Sequence, residues 1–200
     1  MTAEDEHRRE RSVDSLQQIY AVIIALAIAQ AIESLLKDPA SGAMLASYQI
    51  LTGLPPLVAF LATLIPFWHG MNRHLDRCYL EKKGAVKQFG LLWDFTAFFV
   101  EGCLLFAAGW SLRSGIRSFE FLGALLVVDM GWGSVAHLIH FRGQKSHIAK
   151  WSRVNVVAIA VAIPIIVLHI PSKPWVLMAL AILRSIADYR FCRDFYFPRS

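Results

Sequence analysis

The stretch VNVVAIAVAIPIIVLHIPSKPWVLMALAILRSIAD, residues 154–188, decides how this chain is read. It is almost wholly apolar. It is also too long for one helix across a hydrocarbon layer about 30 Å thick, which takes roughly 20 residues. Ile170-Pro171-Ser172-Lys173-Pro174 interrupts it, and proline cannot continue a helix because it lacks the N–H and crowds the preceding turn. The stretch therefore reads as two crossings, 154–170 and 172–188, joined by a tight hairpin. The strictly apolar part of the second crossing, 175–183, is short.

Toward the N-terminus four more apolar runs of spanning length follow: 119–140, 89–110, 50–69 and 16–36. The expected fold is all-α, a polytopic membrane bundle of six transmembrane helices forming one domain over 16–190. A polar tail, 1–15, precedes it and an interfacial tail, 191–200, follows. Composition agrees. Hydrophobic residues make up 56% of the chain and charged residues 18%, against about 25% charged in an average soluble protein. A soluble core of this size has no room for that much apolar surface, so lipid is the expected solvent. Between 71 and 83, Met71, Leu75, Cys78 and Tyr79 recur at helical spacing with most basic residues elsewhere on the wheel. This reads as an interfacial helix, or as a span protruding into water.

Orientation follows from the basic residues. Of the 20 Lys and Arg, only Lys37, Arg113, Arg117 and Lys173 fall on one side of a six-span topology. The rest cluster in the N-terminal tail, in the loops after the second and fourth spans, and at the C-terminal end. Both termini are therefore expected in the cytoplasm, in a multi-pass protein of the cell (inner) membrane resting on anionic headgroups. The net charge of +5 does not point to nucleic acid, because the basic residues form short clusters rather than one stripe. Ala27-Ile28-Ala29 resembles a signal-peptide cleavage site, but the apolar run continues to Leu36, which favours a retained span.

Small residues at four-residue spacing, Ala21, Ala25 and Ala29 on the first span and Ala158 and Ala162 on the fifth, are expected where helices approach closely. Pro55, Pro56, Pro66 and Pro164 lie inside spans and predict kinks. Trp68, Trp110, Trp151, Trp175, Phe195, Tyr196 and Phe197 sit at span edges, where amphipathic rings prefer the headgroup level.

Charged groups within hydrocarbon cost about 2.5–3.5 kcal/mol each on insertion scales, so each needs a reason. By helical rise, Asp94, His137 and Arg184 fall about 6–9 Å from the cytoplasmic edge, and Glu101 and Asp129 at about 18 Å. Two layers are expected: an inner one combining Asp94, His137 and Arg184, and a mid-membrane one pairing Glu101 with Asp129. Asp94 and Glu101 are seven apart and share a helix face with Phe98. Two carboxylates meeting in low dielectric cannot both stay ionised, so they share a proton or hold a cation. Asp94–Arg184 is equally readable as a register-fixing ion pair, and Glu33–Lys37 and Arg184–Asp188 as local i,i+4 pairs. His69, Asn72, Arg73 and His140 gather at the cytoplasmic mouth. They suit a headgroup, a metal or a proton, or simply snorkel.

Enzymatic motifs are missing. Gly131-Trp132-Gly133-Ser134 has no histidine on a later span at the depth an intramembrane serine protease needs. The seven histidines form no hydroxylase boxes, and the three cysteines form no CxxC or Cys/His metal spacing. No metal or cofactor is expected. The leading expectation is a small channel or carrier, working as a homo-oligomer, that moves protons or cations through Glu101 and Asp129. Alternatives are a non-catalytic membrane subunit or scaffold, and a metal or haem redox protein using the cytoplasmic-side histidines.

Overall fold

A computed structural model describes residues 3–38, 41–81, 88–140, 148–168 and 172–198. Every regular element among them is helical: α1 (Ala3–Leu36), α2 (Ser47–Leu75), α3 (Gln88–Trp110), α4 (Ile116–His140), α5 (Ile148–Val167), α6 (Lys173–Phe191) and the short α7 (Arg193–Tyr196). A π-helical turn, Asp76–Leu80, extends α2, and a 3₁₀ turn, Leu112–Ser114, links α3 to α4. Five stretches are long and apolar enough to cross a membrane: His7–Leu36, Ser47–Leu80, Phe89–Trp110, Ile116–His140 and Ile148–Val167. Their length and apolarity mark a membrane protein. The 169–171 part of the expected hairpin lies outside the described residues, as do the basic loop residues Lys82, Lys83, Lys87, Arg142 and Lys145. Lys173 opens α6 with Pro174 in its first turn, the one place where a missing N–H costs nothing.

Helix α1 packs on α3, α3 on α4, α4 on α5, α5 on α6, and α6 closes against α2. The expected neighbours α3 and α4 do pack together. Their link turns at Gly115, whose φ of 54° favours a residue without Cβ. Helix α1 runs unbroken from residue 3 into the first apolar run and already buries Val13.

The close approach of α1 and α3 uses a different alanine register from the expected one. Ala25 and Ala29 face outward, whereas Ala27 and Ala31 are fully buried. A Cβ on Gly109 of α3 would lie 2.9 Å from the Ala27 carbonyl oxygen and 3.3 Å from the Ala31 Cβ. Alanines recur at both phases of this run, and the glycine opposite decides which phase is used.

Helix α2 continues through Pro55, Pro56 and Pro66. Pro66 has no N–H for the Ala62 carbonyl, and the Ser185 hydroxyl of α6 donates to that oxygen instead. A backbone defect in α2 thereby becomes a tie to α6. The apolar face of 71–80 is not interfacial: Met71, Leu75, Cys78 and Tyr79 are all buried in the bundle core. The i→i+5 bonding of the π turn lets residues four and five positions beyond His74 share its side of the helix. Helix α6 is inverted relative to a soluble helix. It buries Arg184, Ser185 and Asp188 while Leu183, Ile186 and Phe191 face outward. Helix α5 likewise exposes Val156, Val157, Val161 and Ile163.

Candidate functional site

One polar interior lies among α2, α3, α4 and α6. At its centre is a cavity of about 40 Å³, lined by His74, Phe98, Glu101, Asp129, Trp132, Trp151, Arg184, Asp188 and Tyr196 among others. That volume has room for water, since a single molecule needs only about 10–15 Å³ of this kind.

Glu101 reaches this cavity from α3 and is fully buried. Neither of its carboxylate oxygens has a hydrogen-bond partner among the described residues. Asp129 reaches the same cavity from α4, so the two carboxylates expected to meet do line one space. Asp129 is better supported. It accepts a hydrogen bond from the Asn155 amide of α5 at 3.1 Å. The Asn155 carbonyl oxygen in turn accepts two from Arg184, Nε at 2.9 Å and Nη2 at 2.7 Å. Arg184 Nη2 stands 3.7 Å from Asp188 Oδ2, and the Tyr196 hydroxyl donates to that oxygen at 2.8 Å. The relay runs Asp129, Asn155, Arg184, Asp188, Tyr196 and links α4 to α7. Asp188, expected as the local partner of Arg184, is buried, and Arg184 Nη1 and Asp188 Oδ1 have no hydrogen-bond partner among the described residues. Three carboxylates thus share the cavity with one guanidinium.

Asp94 belongs to a second cluster. Its Oδ1 accepts from Trp132 Nε1 at 2.8 Å, and its Oδ2 accepts from the Tyr79 hydroxyl at 2.8 Å. His74 Nε2 lies 3.1 Å from Oδ2 and His140 Nε2 lies 3.7 Å from it. The Cys78 Sγ stands 3.8 Å from His74 Nδ1, and Tyr79 and His140 meet at 3.3 Å. Gly90 makes room for this group, since a Cβ there would lie 2.9 Å from the His140 ring. The expected inner layer of Asp94, His137 and Arg184 is therefore not assembled. Asp94 takes its charge partners from α2 and the end of α4, Arg184 takes Asn155 and Asp188, and half-buried His137 joins neither set.

The group expected at a cytoplasmic mouth also divides. His140 joins Asp94. His69 instead sits among the rings of Tyr189, Tyr196 and Phe197, with Nδ1 3.3 Å from the Tyr189 hydroxyl. Arg73 donates to the Phe195 carbonyl and pairs with Glu81 at 3.0 Å and Asp76 at 3.6 Å. Asn72 bonds its own helix, at the Trp68 carbonyl. These contacts fasten α7 under the bundle, so Phe195 and Tyr196 are buried there rather than spread along a headgroup belt. Beside them, burial pushes the Cys192 thiol up to about 12, and the neighbouring Asp188 carboxylate adds to the shift.

Sequence reasoning passed over Asn155, a lone neutral polar residue in an apolar run, and gave Trp132 and Tyr196 other roles. It also missed His74 and Cys78 as a pair. The signal was present as His-x-x-x-Cys, one helical turn apart. No family model matches the chain, and neither a curated protein nor a solved structure matches it.

Proposed function

We propose that the protein moves protons or small cations across a membrane, with Glu101 and Asp129 as the groups that carry them. The observation behind this reading is Glu101: a fully buried carboxylate without a hydrogen-bond partner among the described residues, lining a cavity it shares with Asp129 and Asp188. A carboxylate left ionised and unpaired in such a place is costly enough that it takes up a proton or a cation instead. Asn155 separates Arg184 from Asp129, so the single guanidinium does not neutralise the pair by direct contact.

The topology of this reading has six spans, α6 being the sixth, with both termini in the cytoplasm of a cell (inner) membrane and basic loops on anionic headgroups. The inverted polarity of α6 supports a sixth crossing, because only lipid makes an outward Leu183 and Ile186 and an inward Arg184 favourable together. In this reading the protein works as a homo-oligomer.

The test is flux in proteoliposomes under an imposed pH, sodium or potassium gradient. The wild-type protein should dissipate one of these gradients, and Asp129→Asn should lower the rate at least tenfold while remaining folded. A scaffold whose buried charges only fix helix register, as the Asp129–Asn155–Arg184 relay would also do, gives no flux in either protein.

A further inference from the structure

We propose that His74, Cys78 and His140 form a binding site for a zinc-class transition-metal ion at the cytoplasmic-side end of the bundle. One ligating atom from each residue lies within 4.8 Å of the others. The donor set is two imidazoles and a thiol, which suits a borderline ion such as Zn²⁺ or Co²⁺ and not Mg²⁺ or Ca²⁺, whose ligands are oxygens.

The local geometry is close to what such an ion requires. The His74 Nδ1 to Cys78 Sγ distance is 3.8 Å. A tetrahedral zinc with bonds of about 2.0 Å to nitrogen and about 2.3 Å to sulfur holds those atoms about 3.5 Å apart. His74 is also oriented as a metal-bound histidine is. Its Nε2 faces the Asp94 carboxylate at 3.1 Å, which leaves Nδ1 directed at the thiol. A carboxylate behind a ligating histidine fixes the ring and its tautomer and raises its basicity. Asp94 is itself held by Tyr79 and Trp132, so the support is rigid. The π turn after Leu75 carries Cys78 into the core beside His74, and such turns recur at functional sites. On ligation the Cys78 thiol releases its proton to solvent and binds as thiolate, without any change of oxidation state. Three protein ligands leave a fourth tetrahedral position for water.

This site stands independently of the transport reading. The experiment takes the full-length protein in detergent, strips it with a chelator, and titrates it with Zn²⁺ or Co²⁺ alone. The expected result is one ion per chain and, for cobalt, a thiolate-to-metal charge-transfer absorption. Cys78→Ser removes that absorption and Cys192→Ser leaves it, while Asp94→Asn weakens affinity by roughly 10–100-fold. In wild-type protein, bound zinc must also slow alkylation of Cys78, read by peptide mass; this covers the case in which Cys78→Ser does not fold. Folded wild-type protein that takes up no ion, a charge-transfer band that survives Cys78→Ser, or equal labelling of Cys78 with and without zinc would overturn the proposal.

Discussion

Arg184 spends two of its hydrogen bonds on the Asn155 side-chain carbonyl, at 2.9 and 2.7 Å, rather than on Asp129. The amide therefore works at both ends, accepting from the cation and donating to the anion. Asn155→Leu is predicted to leave both charged neighbours short of a partner in the core, at about 1–3 kcal/mol for each orphaned buried group. Adding Arg184→Met should recover part of that loss, since removing both members of a buried pair leaves less unpaired than removing one. Equilibrium unfolding in mixed detergent micelles compares the single and double variants. A double variant that loses further stability would show that the relay does not couple them.

Asp94 is the best-satisfied charge in the bundle, with Trp132, Tyr79 and His74 all directed at its two oxygens. Asp94→Ala strands three buried polar groups at once. The expected cost is about 3–5 kcal/mol, the range for breaking a buried pair, measured by the same unfolding assay. Removal of the exposed Arg8 partner of Glu4 should cost nothing measurable, because both groups remain in water.

Two glycines make opposite predictions. Gly109→Ala places a methyl group 2.9 Å from the Ala27 backbone oxygen, which cannot swing away as a side chain does, and should destabilise by about 1–3 kcal/mol. Gly123→Ala meets nothing within 4 Å on its helix and should stabilise by about 0.5–1 kcal/mol through reduced backbone freedom in the unfolded chain. Thermal midpoints of the two variants should move in opposite directions from wild type.

Much of this was legible from the chain alone, and the misses share a cause. Length and apolarity located the helices because the bilayer imposes both. A separation of seven residues put Asp94 and Glu101 on one face, and the short link between α3 and α4 brought Asp129 opposite. Periodicity within one helix does not say which distant helix covers it. Helix α6 packs on α2 and α5, so Arg184 meets Asn155 of α5 instead of Asp94. Met71, Leu75, Cys78 and Tyr79 do share one face, as their spacing predicts, but distant helices of the bundle cover that face where an interface was expected.

The Cys192 thiol gives a pH test outside the spanning segments. Burial first, and Asp188 second, raise it from 9.0 to about 12, so the folded form holds its proton where an unfolded chain loses it. The stability contributed by keeping this group neutral is complete below about pH 9 and is lost as pH rises toward 12. Alkylation of Cys192 in folded protein should accordingly be slow at pH 8 and still climbing at pH 10. In protein denatured with SDS the rate should reach half its maximum near pH 9, far below the midpoint in folded protein. Matching profiles in the two states would mean that the thiol is not buried against Asp188.

The most direct measurement is gradient-driven flux through proteoliposomes containing Glu101→Gln, a substitution that keeps the shape of the side chain and removes its capacity to bind a proton or cation. Wild-type protein is predicted to collapse an imposed pH or cation gradient, and Glu101→Gln, with an unchanged thermal midpoint, to do so at least tenfold more slowly. Equal rates for the two proteins, or no flux from wild type, would contradict a carrier role for this carboxylate.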